Sequence, residues 1–338
     1  MPIEHVVIIV KENHTFDNYF ATFPGANGAD LHKHASNPPP DDPDHRHEAW
    51  LRRAGDSAHR VAYAESDIPG YFAYAREFTV CDNYFSEVAG PSTPNHLMLI
   101  CADSPVINNP HHHYRPSPAD MYDLSPSLPT RLEEACLTWG NYGGYPFHYI
   151  KDLAGDHKNY TSDLFAHDAK AGKLPTVSWV YAEGKPSLSE HPRQNITEGM
   201  QWTVEQVKAI VAGGLWKRTA IFVTWDDWGG WFDHVEPPVV EKWDHRRAQR
   251  PADAFAQFDG QPFRYGSRVP CLVLSPYARK GHVSHQLNSH VSLLKFCTTT
   301  FGLRSITERD QGSNGMTDCF DFKQQPLPAP HERRACYQ

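Results

Sequence analysis

The sequence has no apolar run long enough to cross a membrane, no CxxC pair among its seven cysteines and no excess of positive charge. The first absence excludes a spanning helix among these residues. The second makes Cys81, Cys101, Cys136, Cys271, Cys297, Cys319 and Cys336 an odd, scattered set, which reads as reduced buried thiols and not as a disulfide framework. The third follows from 40 acidic against 32 basic residues, a formal charge of −8. It argues against a nucleic-acid partner, because phosphate backbones call for a basic stripe. A small phosphate-bearing substrate is not excluded, since local field decides there. A secretory signal is also missing: the first apolar run starts at His5. The chain as given therefore reads as cytoplasmic, and an exported protein with its signal removed would present the same sequence. Repeats and convincing linkers are absent too, so the expectation is a single catalytic domain over residues 1–338.

What is present is 21 histidines, 28 prolines and nine tryptophans. Abundant proline implies ordered loops, which suits a site built from loops on a rigid sheet. Five short runs rich in β-branched residues read as buried strands: HVVIIV, LTWGNY, TVSWVYA, AIFVTW and PCLVLSP. Helical patterns lie between them: IPGYFAYAREF, LPTRLEEACL, TEGMQWTVEQVKAIVAG, whose first residue Thr197 reads as an N-cap, and SHVSLLKFCTTTFG, capped by Ser289. Strands that are apolar throughout, alternating with helices, predict an α/β fold with a mostly parallel central sheet and helices on both faces. The tail after Gly302 is expected to wrap this domain.

In such a sheet ligands bind beyond the carboxyl ends of the strands. Glu12 and Asn13 follow the first strand, Asp226 and Asp227 follow AIFVTW, and TVSWVYA leads into EGKPSLSEHP, which contains His191. Three carboxylates in one crevice repel one another unless a cation intervenes, so these residues are expected to hold a metal. In VAGPSTPNHLMLI, Ser92 and Thr93 precede Pro94, which suits a first helical turn. A hydroxyl at that place is either an ordinary N-cap or a nucleophile near an anion-favouring helix end. Each histidine alone is a weak signal. His191 is the best placed, His45 and His47 sit among acids and prolines, and His234 and His290 are equally consistent with structural roles. The run His111 to His113 reads as a solvated loop.

Taken together, these blocks resemble the bacterial phosphoesterase family of non-haemolytic phospholipases C and an acid phosphatase, with an alkaline-phosphatase-like three-layer sandwich. The resemblance is carried by VVIIVKENHTFDNYFATFPGANG, FTVCDNYFSEVAGPSTPNHL, VSWVYAEGKPSLSEHP, TWDDWGGWFDHVEPP and RVPCLVLSPYARKGHVSHQLNSHVSLLKF. It implies that Glu12, Asn13, Asp226 and Asp227 are metal ligands and that Ser92 is both nucleophile and ligand. It further implies that His191, with His45 and His47, contacts the phosphate. Asn95 is assigned to substrate binding, and Asp233 and His234 to orienting the ligands, with His234 among the catalytic candidates. The segment HEAWLRRAGDS departs from the longer H-x-A-W region of larger members, which continue into Asn-Gly-Gly-Lys-Met.

The expected activity is hydrolysis of phosphate mono- or diesters through a phosphoserine, with a small phosphate ester or a phospholipid head group as substrate. Oxygen ligands favour Mg, Ca or Mn as the one divalent ion, with Zn tolerated. The rival readings are a non-catalytic metal- or anion-binding protein on this scaffold, a histidine-rich metal store, and a sulfatase or phosphonate hydrolase. The absence of a C-x-P-x-R context argues against a formylglycine sulfatase.

Overall fold

The computed structural model describes residues 1–31, 33–55, 59–110, 116–182 and 188–330. His111 to His113, part of the segment before His191 and Cys336 lie outside them. Its centre is an eight-stranded sheet built from β1 (His5–Lys11), β2 (Thr79–Cys81), β3 (Trp139–Tyr142), β4 (Asn159–Tyr160), β5 (Val177–Tyr181), β6 (Thr219–Trp225), β7 (Cys271–Leu274) and β8 (His282–Ser284). In space they run β8-β2-β7-β6-β1-β5-β3-β4. All neighbours are parallel except β7, which is antiparallel to both β6 and β2. The mostly parallel α/β expectation therefore holds, with PCLVLSP as its one reversed strand. β1 is central, and Val6 to Val10 are at most 1% exposed. A strand covered on both faces has no polar side to alternate with, which is why its sequence is continuously apolar.

Two helix groups flank the sheet. Pro69–Glu77 and Asp163–Lys170 pack on Ile196–Ala212, while Leu128–Glu134 and His290–Phe301 pack on Ser92–Cys101. Ser289 stands at the N-cap as expected, and its N–H donates to Ser292 Oγ at 3.0 Å. Thr197 does not cap its helix: Asn195 does, accepting from the Glu198 N–H, while the Thr197 hydroxyl donates to the Asp67 carbonyl. Ser92 is the first helical residue, not one that precedes the helix. The strands β2, β4 and β8 and the helix Asp163–Lys170 were not legible, the strands because two or three residues carry no period. The thiol expectation needs one correction, since Cys136 is exposed. The tail closes over the sheet as expected, Phe320 stacking on Phe296 and the Leu327 carbonyl accepting from Trp216 Nε1.

Candidate active site

Strand register brings the ligand candidates together. Lys11 lies opposite Trp225 at the ends of β1 and β6, and the Asp226 N–H donates to the Lys11 carbonyl at 3.0 Å. The two chains therefore leave the sheet side by side. Asn13 turns into the left-handed region with φ of +63°, and its N–H donates to Asp226 Oδ1 at 2.9 Å. That oxygen also accepts from the Asp227 N–H at 2.8 Å, and Asp227 Oδ1 accepts from the Gly229 N–H at 2.7 Å. A Cβ at Gly229 would lie 2.1 Å from the Asn13 carbonyl oxygen, so the close approach of the two loops requires glycine there.

Ser92 completes the group. Its Oγ lies 2.9 Å from Asp227 Oδ2 and 3.3 Å from Asn13 Oδ1. The single hydroxyl proton serves one acceptor at a time, and the carboxylate is the stronger. Asn95 holds this loop from below: its Oδ1 accepts from the Val88 N–H, and its Nδ2 donates to the carbonyls of Val88, Gly90 and Pro91. With both ends of its amide committed to backbone, Asn95 positions the loop and is not free to meet substrate, contrary to the expectation. The helix end offers fewer amides than the sequence suggests. Pro94 has none and the Thr93 N–H is taken by Asn109 Oδ1.

The histidines separate into three places. His45 Nδ1 donates to the Pro43 carbonyl at 2.9 Å, leaving Nε2 to accept from Asn13 Nδ2 at 3.2 Å. In this tautomer His45 orients Asn13 toward Ser92. His191 is half-buried, with its ring edge-on to His45 at 6.1 Å. His47 is fully buried, donating from Nδ1 to the Ala89 carbonyl at 2.6 Å and packing edge-on to Phe258. Burial lowers its pKa. It braces the loop ahead of Ser92 through the bond to Ala89, and its Nε2 is buried without a hydrogen-bond partner. His234 is elsewhere: it bonds Asp17 Oδ2 through Nδ1 at 2.7 Å and Asn27 Oδ1 through Nε2 at 3.2 Å. Neither it nor Asp233 bonds Asp226 or Asp227, so both expected roles are corrected. His290 does bond the site, through the Asp226 carbonyl. His96, missed in the sequence, lies with Nε2 3.2 Å from Asp226 Oδ2.

The electrostatics are those of crowded acids. Burial and then Asp226 push Glu12 up to about 7, and the same two causes push Asp227 well above the usual carboxylate range. Burial also pushes Asp226 up, but the His96 imidazole and the Asn13 N–H outweigh it and hold it at about 2. The nearest buried ammonium, Lys11, is paired with Glu190. Asp226 Oδ2 is buried without any hydrogen-bond partner. An acid-rich group with an unused buried oxygen fits a divalent cation, with Glu12, Asn13, Asp226 and Asp227 as the residues to hold it.

The sequence profile of the Phosphoesterase family matches residues 3–42 and 33–304. The chain belongs to the Phosphoesterase family. It is a hydrolase acting on phosphoric ester bonds. Phospholipase C B of Mycobacterium tuberculosis is 26% identical over 420 residues, covering 97% of this chain and 79% of the relative. The non-hemolytic phospholipase C of Pseudomonas aeruginosa is 28% identical over 380 residues, and the match spans 89% of this chain but only 54% of that enzyme. Human ectonucleotide pyrophosphatase / phosphodiesterase 5 shares the fold, with a TM-score of 0.51 at 9% identity over 94% of this chain and all of its own. So does a putative sulfatase from Bacteroides thetaiotaomicron, at 0.53 and 10% over 95% of this chain and 76% of its own. These two show an alkaline-phosphatase-like fold and nothing more.

Among the described residues, two clusters in the phosphoesterase bring two acids and a histidine within 4.8 Å, namely Asp17–Asp233–His234 and Asp244–His245–Asp259. The second is largely exposed, and Arg246 already pairs with Asp244. The first is partly offset by Arg268, which is fully buried and pairs with Asp17 at 2.9 Å and Asp233 at 3.1 Å.

Asp233 makes a test of this cluster. Burial pushes its carboxyl up to about 6 although Arg268 opposes the shift. A carboxyl whose folded pKa is raised binds more protons in the native state, so its contribution to stability declines as pH rises from about 4 to about 6. Relative to Asp233→Asn, the wild type is expected to lose on the order of 3 kcal/mol across that window, two units at about 1.4 kcal/mol each. Paired denaturant melts at pH 4 and pH 7 check it, and a constant difference between the proteins would refute it.

Proposed function

We propose that this phosphoesterase hydrolyses phosphate mono- or diesters by attack of Ser92 on phosphorus, through a phosphoserine intermediate, at a centre holding one divalent cation. The observation that carries the reading is Ser92 Oγ, at the first turn of a helix and within 3.3 Å of both Asp227 Oδ2 and Asn13 Oδ1. Asp227 is placed to take the hydroxyl proton as the Oγ–P bond forms. A cation held by Glu12, Asn13, Asp226 and Asp227 supplies Lewis-acid chemistry, lowering the pKa of the serine hydroxyl and offsetting phosphoryl charge. His45 keeps the Asn13 amide turned toward Ser92. His191, half-buried beside it, is the imidazole that reaches the substrate, hydrogen-bonding a phosphoryl oxygen and protonating the leaving oxygen as the P–O bond breaks. Water then attacks the phosphoserine, releasing phosphate or a phosphomonoester and restoring Ser92.

The relatives named above are phospholipases C. We take soluble phosphate esters as the first substrate class to test and a phospholipid head group as the second. The test is hydrolysis of p-nitrophenyl phosphate, bis-p-nitrophenyl phosphate and p-nitrophenylphosphorylcholine after chelation, with metals added back singly. Turnover is expected to disappear on chelation and to return with a divalent cation. Full activity in the chelated protein would overturn the cation's role, and preference for the phosphorylcholine ester would reverse the order of substrates.

A further inference from the structure

His96 lies four residues after Ser92, so the helix presents both side chains on one face. It is fully buried, and neither ring nitrogen has a hydrogen-bond partner. Nε2 faces Asp226 Oδ2 across 3.2 Å, and that oxygen is unpartnered too. The pair is close but not aligned as a hydrogen bond. Other claims on Asp226 are already met, since Oδ1 accepts two backbone N–H groups and its carbonyl accepts from His290. Leaving a buried polar atom unsatisfied costs about 1–3 kcal/mol, so two such atoms facing each other call for a shared partner.

The spacing says what kind. Two donors about 2.1 Å from one ion, at right-angled to tetrahedral geometry, stand roughly 3.0–3.4 Å apart. The His96–Asp226 separation of 3.2 Å falls in that range, as does the 3.3 Å between Ser92 Oγ and Asn13 Oδ1. The orientation that a ligating imidazole usually takes from a second hydrogen bond is supplied here by packing. Tyr145 and Tyr181 stand edge-on or tilted to the ring at 5.4 and 5.5 Å.

We propose that His96 is a nitrogen ligand of the cation centre, joining Asp226 at its Oδ2 oxygen. The inference rests on the reading of that centre given above. It changes the metal expected there. An all-oxygen set suits Mg or Ca, whereas an imidazole in the set favours Mn, Zn or another transition ion.

The test uses the full chain, chelated and reloaded with Mn(II), and reads pulsed electron paramagnetic resonance for nitrogen-14 modulation from a coordinated imidazole. Equilibrium dialysis against Mn and Mg runs beside it. The wild type and His45→Gln are expected to show the modulation. His96→Phe, which keeps an aromatic ring between the two tyrosines, is expected to lose it and to bind Mn at least 10-fold more weakly, with Mg affinity changed less. His96→Gln serves as the second variant should the phenylalanine protein fail to fold. Modulation that persists in the folded His96 variants, or that is absent from Mn-loaded wild type, overturns the proposal while leaving the centre intact. Failure of the wild type to bind either metal, or binding unaffected by Asp226→Asn, overturns the centre itself.

Discussion

Ser92→Ala is expected to lower metal-dependent turnover of every substrate by three orders of magnitude or more, on the order of what deleting a covalent nucleophile costs other hydrolases. The neighbouring hydroxyl is no substitute. Thr93 carries it, but it is fully buried and bonded to the Tyr145 hydroxyl at 3.0 Å. A shift of the attack by one residue would break that contact and turn the attacking hydroxyl by about 100° around the helix. The variant is expected to fold as wild type does, because the hydrogen bonds that Ser92 Oγ makes, to Asp227 and Asn13, lie within the site itself. Acid quench of wild type with a phosphorus-32 substrate is expected to trap label on Ser92, and the alanine variant none. Activity retained in Ser92→Ala would remove the phosphoserine from the mechanism and leave direct attack by water.

The second large effect concerns stability. Glu190 immediately precedes His191, is fully buried and carries a positive φ of 72°. Its carboxylate pairs with the buried Lys11 ammonium at 3.3 Å and accepts from the Tyr19 hydroxyl at 2.7 Å, the Tyr71 hydroxyl at 2.5 Å and Trp225 Nε1 at 3.1 Å. Burial pushes Glu190 up and Lys11 down, and the mutual attraction opposes both shifts. Glu190→Ala leaves an ammonium and two phenols without their acceptor in a closed space. Breaking a buried pair from one side costs about 3–5 kcal/mol. For a domain of this size that is a Tm lower by roughly 4–7 °C. Turnover is expected to fall as well, because the side-chain contacts of Glu190 to Tyr19, Tyr71 and Trp225 anchor the turn that presents His191. Calorimetry of the two proteins decides it: a melting point within a degree of wild type would show that the network carries no net stability.

The legible part of this site was the part that strand order controls. Glu12, Asn13, Asp226 and Asp227 each follow an uninterrupted apolar run, and parallel strands necessarily deliver such residues to one edge. Ser92 was legible from Gly90-Pro91 and Pro94, whose backbone limits require a turn and then a helix start. His96 had a signal that went unused, its four-residue spacing from Ser92. Glu190 had none, since an acid in a loop is ordinarily exposed and only the fold shows four partners converging on it. The role of Asn95 was not legible, because whether a polar side chain meets substrate or backbone depends on which loop lies beneath it.

The sequence by itself determined the five contiguous strands β7, β6, β1, β5 and β3 of the sheet and the acids that follow two of them, because an apolar run is a local property that residues express wherever they sit. Tertiary structure alone decided which histidines serve the site. His234 was drawn off to Asp17 and Arg268, His47 was buried under the Ser92 loop, His45 was turned to Asn13, and His96 was brought against Asp226. An imidazole has no strong local preference of its own. Its role follows from the acceptors and metal-binding groups that distant segments place within about 3 Å of it, and those distances exist only in the folded chain.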